Sequence, residues 1–163
     1  MSPCLGLRKR LALSAACLAL VLSAGAAGAT KPPIAGRDIL TGKRVALSQF
    51  AGKPVFVNVW GSWCYGCRAE ARTISRFSRA HRRDVAFIGI DVWDSKRGAR
   101  AYNKRFDIEY PSIWDPQSLL AGAWSRGAPT TLVFDRRHLF VQRIEGSASL
   151  SQLNAALKRA TRR

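Results

Sequence analysis

The sequence contains few residues that build cross-links or metal sites, with only 4 cysteines and 2 histidines among 163 residues. Cys4 and Cys17 lie in the N-terminal segment, whereas Cys64 and Cys67 are separated by only two residues. A scaffold held together by disulfides needs more cysteines that are far apart in sequence. A structural zinc site needs four soft ligands, usually as two close pairs. The sequence therefore predicts neither kind of domain, and no metal.

Acidic residues are also scarce, since 10 Asp and Glu stand against 27 Lys and Arg, for a formal net charge of +17. Such a balance can favour acidic partners, anionic lipid or nucleic acid. The basic residues are dispersed from Lys31 to Arg163 without one dense block, which is typical of a well-solvated surface. Because residues 1–29 also have the pattern of an export signal, no nucleic-acid partner is predicted.

Residues 1–29 have the order of a secretory signal peptide. A basic stretch, Arg8–Arg10, precedes the apolar run Leu11–Leu22, and small residues follow at Ala27–Ala29. The alternative is an uncleaved membrane anchor, but the core of the apolar run is shorter than the ~20 residues that span a bilayer. We therefore predict a cleaved signal and an exported domain, residues 30–163, in the periplasm or cell envelope.

The remaining sequence alternates between strand and helix patterns. A hairpin is predicted around Thr41–Lys43, and β-branched or apolar runs predict buried strands. The buried strands are Val55–Trp60 and Asp84–Val92, and two further strands are predicted over Pro129–Asp135 and Phe140–Gly146. Apolar residues at helical spacing predict helices over Arg68–Arg82, Ser95–Phe106 and Pro116–Trp124, and a last helix with Ser149 as its N-cap. Alternating elements of this kind predict a parallel strand pair joined by a helix and a closing antiparallel hairpin.

The C-x-x-C pair, Cys64 and Cys67, is compatible with several chemistries. Attachment of c-type haem requires a histidine directly after the second cysteine, and Arg68 stands there instead. Zinc binding would need further ligands, but His81 and His138 are distant in sequence and are expected at a helix end and in a turn. A redox-active dithiol fits the pattern best, because the pair follows a buried strand and opens a helix.

The predicted helix start gives the two thiols different roles. Free N–H groups and the helix dipole stabilise an anion at this position, so the pKa of the Cys64 thiol is expected to fall. Cys67 lies one turn further on, where it can resolve a mixed disulfide. Arg68 adds positive charge nearby. We therefore expect Cys64 to be the exposed nucleophile.

Three stretches of the sequence resemble the exported TlpA/ResA branch of the thioredoxin superfamily. They are ILTGKRVALSQFAGKPVFVNVWGSWCYGC, FIGIDVWDSKRGARAYNKRFDIEYPSIWDP and RGAPTTLVFD. The resemblance implies an α/β thioredoxin-like fold, in which helices flank a central mixed β-sheet and an N-terminal β-hairpin and an inserted αβ segment are added. The details NVWGSWC and CRAE are similar to the cytochrome c maturation members of this branch.

The resemblance also implies roles for individual residues. Cys64 would be the attacking thiol and Cys67 the resolving thiol. Pro129 would be the family's cis-proline, and the bent backbone would leave Ala128 free to pair with an extended substrate segment. Trp63 matches the active-site tryptophan and would form an exposed platform beside the pair.

Several positions depart from the family pattern. Asn58 stands where thioredoxin has a buried acid, and an amide cannot accept a proton from the resolving thiol. Gly66 replaces a proline that is common in reducing members, and Thr130 stands where cytochrome maturation members carry Glu. Residues expected to tune the pair rather than to bind substrate are Tyr65, Gly66, Arg68 and Asn58.

The resulting functional hypothesis is an exported thiol–disulfide oxidoreductase that reduces protein disulfides through Cys64 and Cys67 and uses no other cofactor. It would act as a monomer on protein thiols and disulfides and be recharged by a membrane electron donor. Two alternatives stay open: a periplasmic dithiol oxidase, and a thioredoxin-fold binding or chaperone module whose cysteines are incidental.

Overall fold

Seven strands and four helices follow one another through residues 33–162, the part of the chain that the computed structural model describes. The strands are β1 (Ala35–Arg37), β2 (Arg44–Ala46), β3 (Val55–Trp60), β4 (Ala86–Val92), β5 (Ser112–Asp115), β6 (Thr130–Phe134) and β7 (Phe140–Glu145). The helices are α1 (Tyr65–Ala80), α2 (Lys96–Phe106), α3 (Leu119–Gly122) and α4 (Leu150–Thr161), and a 3-10 helix spans Leu47–Phe50. The predicted signal peptide lies outside the described residues.

Five of the strands form one mixed sheet in the order β5-β4-β3-β6-β7. Strands β3 and β4 are parallel, as the strand–helix–strand pattern predicts, and Val55 lies opposite Ala86. Strand β6 runs antiparallel to both β3 and β7, so the predicted closing hairpin is also confirmed. Strands β1 and β2 pair separately as the predicted N-terminal hairpin.

The two faces of the sheet are covered differently. The helix face carries Phe56 and Trp60 of β3 and packs against helices α1, α2 and α4. The hairpin face carries alternate residues of the same strands and packs against the hairpin, the 3-10 helix and α3. Its β3 and β4 residues are all aliphatic: Val55, Val57, Val59, Ala86, Ile88, Ile90 and Val92. The thioredoxin-like α/β arrangement that the sequence predicts is therefore confirmed.

Strand β5 was not predicted from the strand pattern. It has only four residues, follows Pro111 and contains two polar side chains, Ser112 and Asp115. Hydrogen bonds to β4 and burial of Ile113 hold it at the edge of the sheet. The helix predicted over Pro116–Trp124 is correspondingly shorter, because α3 has only four residues.

The carboxylate of Asp115 explains where this short helix begins. Its oxygens accept hydrogen bonds from the backbone N–H groups of Leu119, Leu120 and Ala121 at 2.8–3.0 Å. These donors have no partner inside a helix, so the side chain satisfies the first turn. Within residues 33–162 no helix combines the length and apolarity needed to cross a membrane.

Candidate active site

Cys64 and Cys67 lie where strand β3 passes into helix α1. Trp60 ends the strand, and Cys64 is the N-cap of the helix, so helix α1 begins three residues before its predicted start. The two sulfur atoms are joined as a disulfide, and the Cα atoms are 5.2 Å apart. The Cys64 Sγ accepts a hydrogen bond from the backbone N–H of Cys67 at 3.1 Å. One helical turn therefore places a free N–H donor on the first sulfur, which favours its anionic form.

The accessibility of the two sulfurs differs less than the sequence predicts. Cys64 is 4% exposed and Cys67 is completely buried. Cys64 is thus the more accessible cysteine, but the expectation of an openly exposed residue is wrong for the disulfide form. Both cysteines belong to the apolar cluster on the helix face, together with Trp60 and Ala71.

Trp63 and Trp60 lie in different surroundings, the first at the surface and the second in the core. Trp63 is 48% exposed, and its indole N–H donates to the carbonyl of Val92 at 3.0 Å. This hydrogen bond fixes the ring against the end of β4. Gly61 allows the approach, because a Cβ at that position would overlap the indole nitrogen of Trp63. Trp60 is a core residue whose ring stacks on Tyr102, 4.3 Å between centroids.

Arg68 lies on the exposed side of the active-site loop. Its guanidinium donates a hydrogen bond to the carbonyl of Ser62 at 3.0 Å. The positive charge therefore stays close to the segment that carries Cys64, as the sequence predicts. The same loop is held from the other side by Asp94, whose carboxylate accepts from the N–H of Ser62 at 2.6 Å and from its hydroxyl at 3.0 Å.

A buried acid next to Asn58 was missed in the sequence. Glu70 of helix α1 accepts a hydrogen bond from the Asn58 side-chain amide at 2.9 Å and another from the backbone N–H of Ala148 at 2.5 Å. Asn58 therefore orients an acid instead of replacing one. The available signal was that Glu70 is the single acid of helix α1 and lies three residues after Cys67, on the same side of the helix.

Burial changes the titration of Glu70. Desolvation raises the pKa of this carboxyl from 4.5 to about 7, while its hydrogen bonds to Ala148 and Asn58 lower it. A carboxyl with such a pKa can take up or give back a proton near neutral pH. Tyr102 lies next to both Glu70 and the cysteine pair. Its hydroxyl donates a hydrogen bond to the carbonyl of Cys67 at 2.8 Å. Burial and the neighbouring Glu70 raise the pKa of Tyr102, so its hydroxyl stays protonated.

The Ala128–Pro129 peptide bond is cis, as the resemblance implies. Gly66 packs directly against this proline, because a Cβ on Gly66 would lie 3.2 Å from the Pro129 ring and 3.1 Å from the Ser147 hydroxyl. Ser147 also donates to the Gly66 carbonyl at 2.9 Å. The glycine in the C-x-x-C dipeptide therefore permits a close approach of the helix start to the Pro129 loop. Thr130 turns inward, and its hydroxyl donates to the carbonyl of Gly127 at 2.7 Å.

Strand β4 carries a second buried acid. Asp91, at the end of β4, is completely buried, and neither carboxylate oxygen has a hydrogen-bond partner within residues 33–162. Desolvation, and then the nearby carboxylates of Asp94 and Asp115, raise the pKa of Asp91 to about 9. At neutral pH this side chain is therefore a neutral carboxylic acid. It was not singled out in the sequence because its strand reads as a plain apolar run.

The two histidines lie where they were expected. His81 caps the end of helix α1 and packs against Phe77, and His138 lies in the turn between β6 and β7. Among residues 33–162, no three His, Cys, Asp or Glu side chains are grouped as metal ligands would be.

Known proteins share both the sequence pattern and the fold. The sequence profile of the AhpC/TSA family matches residues 29–143. The chain is 28% identical over 138 residues to the thiol-disulfide oxidoreductase ResA of Geobacillus kaustophilus, which spans 83% of this chain and 79% of the relative. It is 28% identical over 124 residues to the protein of the same name from Bacillus cereus, covering 75% and 72% of the two chains.

Solved structures lead to the same group. A thiol:disulfide interchange protein of the thioredoxin family from Chlorobium tepidum superposes with a TM-score of 0.71 and 26% identity, over 79% of this chain and 93% of that one. A DsbF homologue from Corynebacterium diphtheriae gives a TM-score of 0.71 and 28% identity, over 77% and 83%. The predicted resemblance is confirmed, and the chain belongs to the AhpC/TSA family of thioredoxin-fold proteins.

Proposed function

We propose that this protein is an exported thiol–disulfide oxidoreductase that reduces disulfides in other proteins. The observation that carries the proposal is the Cys64–Cys67 disulfide at the start of helix α1, with the buried carboxyl of Glu70 one turn further on. A buried pair that only stabilised the fold would not need an ionisable group of raised pKa on the same helix face. Names of the relatives support the same reaction class.

The reaction transfers two electrons from the reduced pair to the substrate. The Cys64 thiolate attacks one sulfur of the substrate disulfide, a mixed disulfide forms, and the other substrate sulfur leaves and is protonated. Cys67 then loses its proton, and its sulfur attacks Cys64. The second substrate thiol leaves, and the Cys64–Cys67 disulfide forms. The substrate gains two electrons and two protons, and the enzyme is left in the disulfide form.

Glu70 is the group that we assign to the proton of Cys67. It lies on the same helix, three residues further on, and is buried with the resolving cysteine. Because the pKa of Glu70 is raised to about 7, its carboxylate is a stronger base than an ordinary glutamate. Asn58 and Ala148 hold the carboxyl in place through their hydrogen bonds. Asn58 is thus a positioning residue.

Substrate binding is assigned to the surface around Cys64. Trp63 supplies an exposed ring next to the attacking sulfur, and the Ala128–Pro129 segment lies beside the helix start through its contact with Gly66. An extended substrate segment would pair with the backbone of Ala128. Tyr65, Gly66 and Arg68 are assigned to tuning the potential of the pair.

The sequence supports a setting outside the cytoplasm. The signal-like residues 1–29 support export to the periplasm or envelope, where a reductase needs an outside source of electrons. A membrane-bound dithiol donor would recharge the pair. The NVWGSWC and CRAE motifs support a role in cytochrome c maturation, whereas Thr130 departs from that pattern. We expect the protein to act as a monomer.

An insulin-reduction assay with dithiothreitol tests the proposal. The mature protein should accelerate precipitation of the insulin B chain, and a variant with both cysteines changed to serine should not. Absence of acceleration would favour a binding or chaperone module. The reduction potential of the pair then gives the direction: a value near the roughly −270 mV of thioredoxin fits a reductase, and one near about −120 mV fits an oxidase.

A further inference from the structure

Trp93 has a backbone conformation that tryptophan rarely adopts. Its φ angle is +49°, in the left-handed region. A bulky side chain there crowds its own backbone, which costs folding free energy that a glycine would avoid. The side chain is also 51% exposed, so folding removes only about half of its surface from water. Hydrophobic burial therefore offsets the cost of this conformation only in part. Folding alone therefore does not explain why a tryptophan stands at this position.

The turn that contains Trp93 is fixed by its neighbours on both sides. The carbonyl of Val92 accepts from the indole of Trp63, and the carboxylate of Asp94 accepts from both the N–H and the hydroxyl of Ser62. Asp94 also accepts from the N–H of Ser95 at 2.7 Å. These contacts join the turn to the active-site loop. The side chain of Trp93 makes none of them, so the backbone conformation does not depend on the indole.

The Trp93 ring faces the active site. Its centroid lies 6.0 Å from that of Trp63, and the two planes are tilted by 47°. Trp63 immediately precedes Cys64 and is also about half exposed. Two rigid aromatic rings thus form one apolar surface beside the reactive sulfur. Strained residues near reactive groups are kept where the strain serves binding, and tryptophan is enriched among residues that dominate binding energy.

We propose that Trp93 is a specificity-determining residue, which together with Trp63 binds a large apolar or aromatic side chain next to the substrate cysteine. The inference rests on the proposed function, because it concerns the same sulfur of Cys64. Its occupant is an extended polypeptide segment, since the Ala128–Pro129 loop, which we assign to pairing with such a segment, contacts Gly66 at the same helix start that follows Trp63. Trp63 directly precedes Cys64 and is fixed by its hydrogen bond to Val92. Trp93 lies next to Trp63 and therefore enlarges the apolar surface that Trp63 begins.

Two peptides and two enzymes test this assignment. Each peptide carries one cysteine as a mixed disulfide with thionitrobenzoate, and the residue before the cysteine is Phe in one and Ala in the other. The Cys64 thiolate attacks the peptide sulfur and releases thionitrobenzoate, Cys67 then releases the peptide thiol, and the protein ends as the disulfide, so each experiment is a single turnover. The rate of thionitrobenzoate release gives a second-order rate constant for each peptide. The wild type should prefer the Phe peptide about tenfold, the usual discrimination of an apolar site. Trp93→Gly should reduce this preference to less than twofold, and Trp93→Phe should keep most of it.

Controls separate this outcome from other effects. Trp93→Gly relieves the backbone strain, so its thermal midpoint should not fall, and Trp93→Asn is a second variant that tolerates the same φ. Leu139→Ala is the matched control. It removes an equally exposed side chain, 52%, from the turn that follows strand β6, at the end away from Pro129, and should keep the preference.

An unchanged preference in Trp93→Gly would overturn the proposal. The proposal would also fail if the wild type were a dimer, Trp93→Gly were a monomer and the preference for the Phe peptide were the same in both. Trp93 would then serve self-association. Failure of the wild type with both peptides would instead refute the proposed function.

Discussion

The two faces of the central sheet are built from the same strands but differ in chemistry. On the hairpin face, strands β3 and β4 contribute only Val, Ile and Ala, and all of them are buried. On the helix face, the same strands contribute Asn58 and Asp91 among aromatic residues, and helix α1 adds Glu70. Burying such groups costs stability unless they are paired. Asn58 and Glu70 pair with each other, whereas the carboxyl of Asp91 has no hydrogen-bond partner within residues 33–162. The helix face therefore gives up stability at Asp91, and the hairpin face supplies packing that compensates.

Weakening the hairpin face should affect stability and leave the chemistry intact. Ile88→Ala removes a completely buried side chain, and we expect a loss of about 2–5 kcal/mol in the free energy of unfolding. The rate of disulfide reduction by the folded protein should change less than twofold. Urea unfolding and an insulin assay measure the two quantities. A large rate loss with intact folding would show that the faces are not independent.

Removing the Glu70 carboxyl from the helix face should slow disulfide reduction and leave the fold intact. Glu70→Gln keeps the shape of the side chain but cannot accept a proton, so we expect a loss of about 10²-fold in rate at pH 7. The limb of the pH–rate profile near pH 7 should disappear with it, because that limb reports the pKa of Glu70. Glu145→Gln, at an exposed position of β7, is the matched control and should behave as the wild type. A Glu70→Gln variant with an unchanged profile would exclude the assigned role.

The buried acids also make stability depend on pH. Their folded pKa values, about 7 for Glu70 and about 9 for Asp91, lie above the ordinary values of 4.5 and 3.8. Between the ordinary and the raised values the folded state binds more protons than the unfolded state. The free energy of unfolding must therefore fall as pH rises, by up to ~1.4 kcal/mol per pH unit for each group.

Asp91→Asn separates the two contributions. Above pH 7 only Asp91 still holds its extra proton, so the variant should lose the decline between pH 7 and 9. Below pH 7 both acids contribute, so the variant should keep only the part of the decline that belongs to Glu70. Denaturant unfolding of the disulfide form at pH 5, 7 and 9 provides the measurement. Asp84→Asn changes an exposed carboxylate and should keep the full wild-type slope. A wild type that is equally stable at pH 7 and 9 would contradict the burial of a neutral Asp91.

The smallest expected effect concerns the dipeptide between the cysteines. Gly66→Pro should shift the reduction potential by tens of millivolts, which corresponds to about 1–2 kcal/mol for a two-electron couple. The close contacts of Gly66 with Pro129 and Ser147 mean that the ring must displace a neighbour by a few tenths of an ångström. Equilibration against glutathione mixtures, followed by Trp fluorescence, measures the shift. An unchanged potential with a collapsed rate on protein substrates would make the dipeptide a recognition element.

Much of the fold could be predicted because its signals are local. The aliphatic runs of β3 and β4 and the capping Ser149 are visible without any partner. Strand β5 could not be predicted from its own residue pattern, because its four residues are a strand only through pairing with β4, and only the resemblance implied an inserted αβ segment there. The C-x-x-C pair was equally visible as a local pattern. The pairing of Asn58 with Glu70 was not, since it depends on how helix α1 packs across β3. The same holds for Trp93, whose φ angle results from contacts with the active-site loop.

Trapping of mixed disulfides tests the central claim most directly. A substrate disulfide protein is incubated with Cys64→Ser or Cys67→Ser, quenched with acid and analysed by mass spectrometry under non-reducing conditions. Cys67→Ser keeps the attacking sulfur and lacks the resolving one, so it should accumulate a covalent complex through Cys64. Cys64→Ser should accumulate none, because Cys67 is completely buried. Equal trapping by both variants, or trapping through Cys67 alone, would contradict the assignment of Cys64 as the nucleophile.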